Sequence, residues 1–198
     1  MATISHHRLS PADHGRALTL GEFLDAEEQD GFRYELARGV VEVTEVPNDP
    51  HADVEWFLLK SLTAYDQGRP GLIHRVSGGG SVRLWLPGMV SGRNPDIAVV
   101  LQGAPKDDRD RRIPALAMEI VSEGRDARQR DYVTKREEYL AYGLLEYWII
   151  DRFDRRATVL TRHGDLWLEH VFHDGQTASG LVLPGFAVPV AEIWPTPE

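Results

Sequence analysis

The sequence predicts an α/β fold, and three patterns carry that expectation. Two short apolar runs, Ile97 to Leu101 and Leu116 to Val121, have the length of buried strands, and the first is bounded by Pro95 and Gly103. Two longer segments, His51 to Tyr65 and Asp126 to Tyr142, lack internal glycine or proline and read as helices. Shorter runs punctuated by glycine fill the remaining chain and read as further strands.

The elements follow in order. Thr19-Leu-Gly-Glu22 has capping-box spacing and opens a short helix to about Ala26. Arg33 to Leu36 and Val40 to Val46 flank Gly39 as a hairpin. Val54, Phe57, Leu58, Leu62 and Tyr65 give the following helix its apolar period. Leu72 to Val76 and Ser81 to Trp85 are expected to pair around Ser77-Gly-Gly-Gly80, which lacks the lysine and helix of a phosphate loop and so reads as a hairpin turn. After the apolar runs and the second helix, Glu146 to Asp151, Ala157 to Arg162 and Leu166 to Phe172 read as strands, the last two joined by a turn through Gly164. Residues 1–17 are polar and aperiodic and are expected to form a tail, 18–194 a single domain, and the proline-rich 195–198 a second tail.

The chemistry lies in the apolar runs. Asp96 stands at the mouth of the first strand and Glu119, 23 residues later, in the middle of the second, beside Ala117 and Val121 on one face. A buried carboxylate has to be protonated, paired or metal-bound, and two that meet need a cation between them. Asp96 could alternatively cap the turn after Pro95. Hard oxygen ligands without cysteine favour magnesium or manganese over zinc. Asp131, Lys135 and Tyr139 recur at four-residue spacing on one face of the next helix, so Lys135 could look back at Glu119 or pair with Asp131 on the surface. An ammonium beside a metal suits phosphoryl chemistry, where it orients water or stabilises charge on oxygen. His51 reads either as a general base or as a residue of the helix start, while His163, His170 and His173 share no ligand spacing and read as surface. Tyr147 and Trp148 read as core.

The ordered set Pro95-Asp96, Glu119-Ile-Val-Ser122, Asp131 with Lys135, and Gly143-Leu-Leu-Glu-Tyr-Trp-Ile-Ile-Asp151 resembles the bacterial Uma-two family of endonucleases, within the PD-(D/E)XK nuclease superfamily. Tyr34 to Val43 resembles the amino-terminal hairpin of that family, and Pro50-His51 the start of its following helix. The resemblance implies a restriction-endonuclease-like mixed central sheet flanked by helices, with an N-terminal helix and hairpin. It also implies Asp96 and Glu119 as metal ligands, Lys135 as the catalytic lysine and Glu35 as an additional acid of the site; the Ile120 carbonyl would complete the ligand set. Val121 stands where the general superfamily pattern has its lysine, and Ala37 where family members often carry an acid.

Composition limits the alternatives. With no cysteine there is no disulfide and no thiolate chemistry, and no Gly-x-Ser-x-Gly elbow is present. No apolar stretch is long enough to cross a bilayer and no leader pattern opens the chain, so a cytoplasmic protein is expected. The net charge of −9, from 31 acidic and 22 basic residues, argues against a general grip on phosphate backbones. Lys106, Arg109, Arg111 and Arg112 in one loop, and Arg125, Arg128, Arg130 and Arg136 on the second helix, supply local basic groups from which DNA could be held. The expected function is therefore a magnesium- or manganese-dependent endonuclease acting on DNA. The rival is an inactive module of the same fold that works through protein contacts. Val159, Leu160, Leu168 and Val171 suggest apolar surface for a homodimer.

Overall fold

The computed structural model describes residues 7–79 and 81–194. In chain order the elements are β1 (Arg8–Leu9), α1 (Leu20–Asp25), β2 (Glu27–Glu28), β3 (Phe32–Ala37), β4 (Val40–Glu45), α2 (Asp49–Gly68) and β5 (Ile73–Gly78). Then come β6 (Leu84–Leu86), β7 (Ser91–Arg93), β8 (Ile97–Leu101), β9 (Leu116–Ile120), α3 (Arg125–Gln129) and α4 (Lys135–Tyr142). The chain closes with β10 (Glu146–Asp151), β11 (Arg156–His163), β12 (Leu166–His173), β13 (Thr177–Ser179) and β14 (Ala187–Pro189). The described residues group into two compact units, one of 7–47 with 83–94, the other of 48–79, 81–82 and 95–194.

The first unit holds a four-stranded antiparallel sheet in the order β4-β3-β7-β6. The β3–β4 hairpin turns through Arg38 and Gly39, both at positive φ, the paired left-handed geometry whose twist matches the flanking strands. Thr19 and Glu22 form the capping box at α1. Leu9, Phe23, Tyr34, Leu36 and Val41 make the core. Residues 7–17 are part of this unit and not a tail. Leu9 is fully buried in the β1–β2 pair, Ala17 bridges to Val40, and Asp13 accepts hydrogen bonds from the Ser10 amide and Arg16 at 2.9 Å each. This order depends on partners in α1–β2 and β4, which a polar, aperiodic stretch does not disclose. The expected tail segments 1–6 and 195–198 lie outside the described residues, as does Gly80.

The second unit is built on a six-stranded mixed sheet, β12-β11-β10-β9-β8-β5, in which β9 and β10 are parallel and the other neighbours antiparallel. The parallel pair requires a crossover, and the α3–α4 segment provides it. Alternation divides the strands between two faces. Met118, Ile120, Trp148 and Ile150 point to the face covered by Val54, Leu58 and Leu62 of α2 and by the C-terminal residues Phe186, Val188 and Ile193. Glu119 and Tyr147 belong to the opposite face, where α4 contributes Tyr139. The chain is thus a mixed α/β fold with a central mixed sheet, as expected. One hairpin is not formed, because β5 pairs with β8 and β6 with β7 in the other unit's sheet. Gly78 ends β5 against α2, where a Cβ would meet the Glu55 carboxylate at 2.8 Å, so the glycine permits close strand–helix approach.

Candidate active site

Asp96, Glu119 and Lys135 come together in the second unit, and local structure explains how. The register Ile97↔Met118 sets Asp96, one residue upstream, level with Glu119. The Ile120 amide donates to Asp96 Oδ2 at 2.8 Å, fixing the carboxylate at the strand mouth. His51 lies in the first turn of α2, which Asn48 caps by accepting from the His51 amide. Its Nε2 is 3.3 Å from Asp96 Oδ1, an ion-pair distance without the alignment of a good hydrogen bond. Burial alone pushes the Asp96 carboxyl up, but the His51 imidazole, the Ile120 amide and the Lys135 charge outweigh it and hold the group well below the usual carboxylate range.

Glu119 is gripped from α4. Lys135 Nζ is 3.0 Å from Oε2, and the Tyr139 hydroxyl donates to Oε1 at 2.5 Å; all three side chains are buried. The helix reaches this register through a π-helical turn, Arg130–Thr134, between α3 and α4. Such turns occur mostly as single insertions within α-helices, frequently at functional sites. Here the Tyr147 hydroxyl, from β10, donates to the Asp131 carbonyl at 2.9 Å. Burial, with the Glu119 and Asp131 charges, drives the Tyr147 phenol well above its ordinary range and keeps it a donor. The Tyr139 and Tyr147 rings meet edge-on at 5.0 Å.

A second cluster, not foreseen from the sequence, ties the same turn to the sheet. Asp151, fully buried at the end of β10, receives Tyr132 at 3.0 Å and Arg128 at 2.7 Å, together with the amides of Phe153 and Asp154. Burial and the Asp151 charge push Tyr132 up to about 12. An aspartate ending an apolar strand, with arginines and a tyrosine on the preceding helix, was the available signal.

Glu35 lies in the first unit. Its Oε1 accepts the Asn94 amide at 2.6 Å and its Oε2 lies 3.2 Å from Arg93, a completely buried arginine that also reaches Glu42 at 2.5 Å. The carboxylate is therefore engaged by a cation of its own unit, a partnership 58 residues distant that hairpin alternation cannot predict. The expected basic patches are largely neutralised: Lys106 pairs with Asp110, Arg111 with Asp107, Arg128 with Asp151 and Asp154, Arg130 with Asp131, and Arg136 with Glu169. Interleaved acids meet these bases in three dimensions, so their sequence density overstates the positive field.

Among the described residues no cluster of three or more His, Cys, Asp or Glu side chains frames a metal. The donor set nevertheless fits a magnesium-type ion, which takes one or two carboxylates and fills its remaining positions with water and substrate oxygens. Asp96 is already held in the ionised form that a ligand requires.

A family model described as "Putative restriction endonuclease", named Uma2, matches residues 20–191. The chain belongs to the Uma2 family. Among solved structures it is similar to one described as a putative nuclease belonging to DUF820 from Anabaena variabilis, with a TM-score of 0.69 and 17% identity over 89% of this chain and 97% of that one. At that identity the likeness shows the fold. No curated protein matches the chain. Family membership supports nuclease function in general, and nucleic acid is the substrate class that a nuclease family implies. No helix among the described residues is long and apolar enough to cross a membrane.

Proposed function

We propose that this Uma2 chain is a cytoplasmic, metal-dependent endonuclease that hydrolyses phosphodiester bonds in DNA. The observation that carries the reading is the pair of buried carboxylates, Asp96 and Glu119, on adjacent strands, with Lys135 Nζ 3.0 Å from Glu119. Asp96, Glu119 and the Ile120 carbonyl would hold Mg2+ or Mn2+. When bound, such an ion supplies Lewis acidity at the scissile phosphate and lowers the pKa of a coordinated water. The chain's own residues do the rest. Lys135 neutralises Glu119 and presents N–H donors that orient the attacking water, and His51 with the Ile120 amide keeps Asp96 ionised and aimed. Glu35 enters this reading as the partner of Arg93 and not as a ligand.

Nicking of supercoiled plasmid with Mg2+ or Mn2+, with a structured RNA in parallel, tests the proposal. Asp96→Asn and Glu119→Gln should each abolish cleavage; full activity in both variants would sink the assignment. One observation favours the rival, a catalytically silent module acting through protein contacts: most of the expected DNA-facing cations are already paired with acids. Absence of Mn2+ uptake by the folded chain would favour it. The homodimer belongs to the proposal with a corrected surface. Val159 and Leu160 are core, whereas Leu168 and Val171, with Leu166, are exposed on the edge strand β12. An eight-residue edge without proline or lysine is a template for pairing with a second copy. A monomer at high concentration in light scattering would remove it.

A further inference from the structure

We infer that Tyr139 is a positioning residue for Glu119, holding the carboxylate in the one orientation in which it serves as a metal ligand beside Lys135. Lys135 and Tyr139 are one helical turn apart on α4, and each takes a different oxygen of the same carboxylate: Nζ at Oε2, the phenol at Oε1. A glutamate side chain has three rotatable bonds, so a single cation would leave its carboxylate free to swing about that contact; two donors at two oxygens do not. The phenol is itself immobilised. Its ring meets Tyr147 edge-on at 5.0 Å, and Tyr147 is anchored through its hydroxyl to the Asp131 carbonyl in the π-helical turn. Orientation thus passes from the turn that sets the Lys135 register, through two buried tyrosines, to Glu119. Such outer partners of a ligand fix its direction, and losing one costs roughly 10–100-fold in metal affinity or activity. The tyrosine acts through Glu119, whose Oε1 its hydroxyl meets.

This inference rests on the metal-dependent reading, and its test separates the two. Mn2+ is titrated into the full chain without nucleic acid, and the electron paramagnetic resonance signal of the free ion reports uptake. Tyr139→Phe should bind about 10–100-fold more weakly. Tyr65→Phe, which removes a hydroxyl bonded to the Pro184 carbonyl, should bind as the wild type does. Thermal melts of the metal-free proteins supply a second readout: the loss of melting temperature caused by Tyr139→Phe should vanish in a Glu119→Leu background, where the phenol has lost its acceptor. Unchanged Mn2+ uptake by Tyr139→Phe in a cleaving wild-type background overturns this inference and leaves the nuclease reading intact. Equal losses of melting temperature in both backgrounds also overturn it, because no bond then links the two side chains. A wild type that takes up no Mn2+ overturns both.

Discussion

Lys135→Met isolates the ion pair on which the proposed site depends. The substitution keeps the length of the side chain and removes the ammonium 3.0 Å from Glu119, leaving a carboxylate that is only 3% exposed without that cation. Breaking a buried pair by deleting one member costs about 3–5 kcal/mol, because the remaining charge stays desolvated. For a chain of this size each kcal/mol moves the melting temperature by roughly 2–4 °C, so the variant should melt about 6–20 °C lower at neutral pH. Calorimetry or circular dichroism measures the shift. Adding Glu119→Gln removes the stranded charge, and the double variant should recover most of the loss while remaining inactive in plasmid nicking. A Lys135→Met variant that melts within about 2 °C of the wild type would rule out a costly uncompensated charge at Glu119. A double variant no more stable than the single one would do the same, since the cost would then come from lost packing and not from charge.

Other outcomes follow from neighbouring contacts. Burial, with the Asp151 charge, pushes the Tyr132 phenol up to about 12 from an ordinary 10.0, so its neutral form is favoured by folding. That contribution is complete below pH 10 and disappears as pH rises through 12. Alkaline melts of Tyr132→Phe should show a shallower decline over this window, and an unchanged profile would refute the assignment. Glu146 is buried and accepts the Trp148 indole at 2.7 Å and the Leu181 and Val182 amides at 2.6 and 3.1 Å. Glu146→Ala orphans the buried indole and should cost about 1–3 kcal/mol while accelerating amide exchange at 181 and 182; protection equal to wild type would show that the loop is held otherwise. Tyr147→Phe removes the donor to the Asp131 carbonyl and should cost about 1 kcal/mol, with faster exchange confined to residues 130–135. Uniform acceleration across the sheet would contradict that local role.

Much of the scaffold was legible because its determinants are local. The apolar runs at 97–101 and 116–120 became β8 and β9, the Thr19–Glu22 box capped α1, and the glycine between Arg38 and Val40 turned the β3–β4 hairpin. Each follows from backbone period or from a turn requirement that neighbouring residues satisfy. The glycine run after β5 misled for the same reason. Local chemistry allowed a hairpin there, but strand partners are chosen by whole faces, and β5 joined β8 across α2's core while β6 went to β7.

Residue order was enough to place the two acid-bearing strands, the helix that carries Lys135 and the alternation that sets Glu119 apart from Met118 and Ile120. The fold, and not the residue order, matches the charges. It set Tyr139 and Lys135 on separate oxygens of Glu119, His51 beside Asp96, Arg93 on Glu35, Tyr132 and Arg128 on Asp151, and a π turn that no residue spacing announces. The physical reason is range. Backbone hydrogen bonding and side-chain alternation repeat within a few residues, whereas a buried charge is neutralised by whichever donor the folded chain brings within about 3 Å, however distant along the sequence.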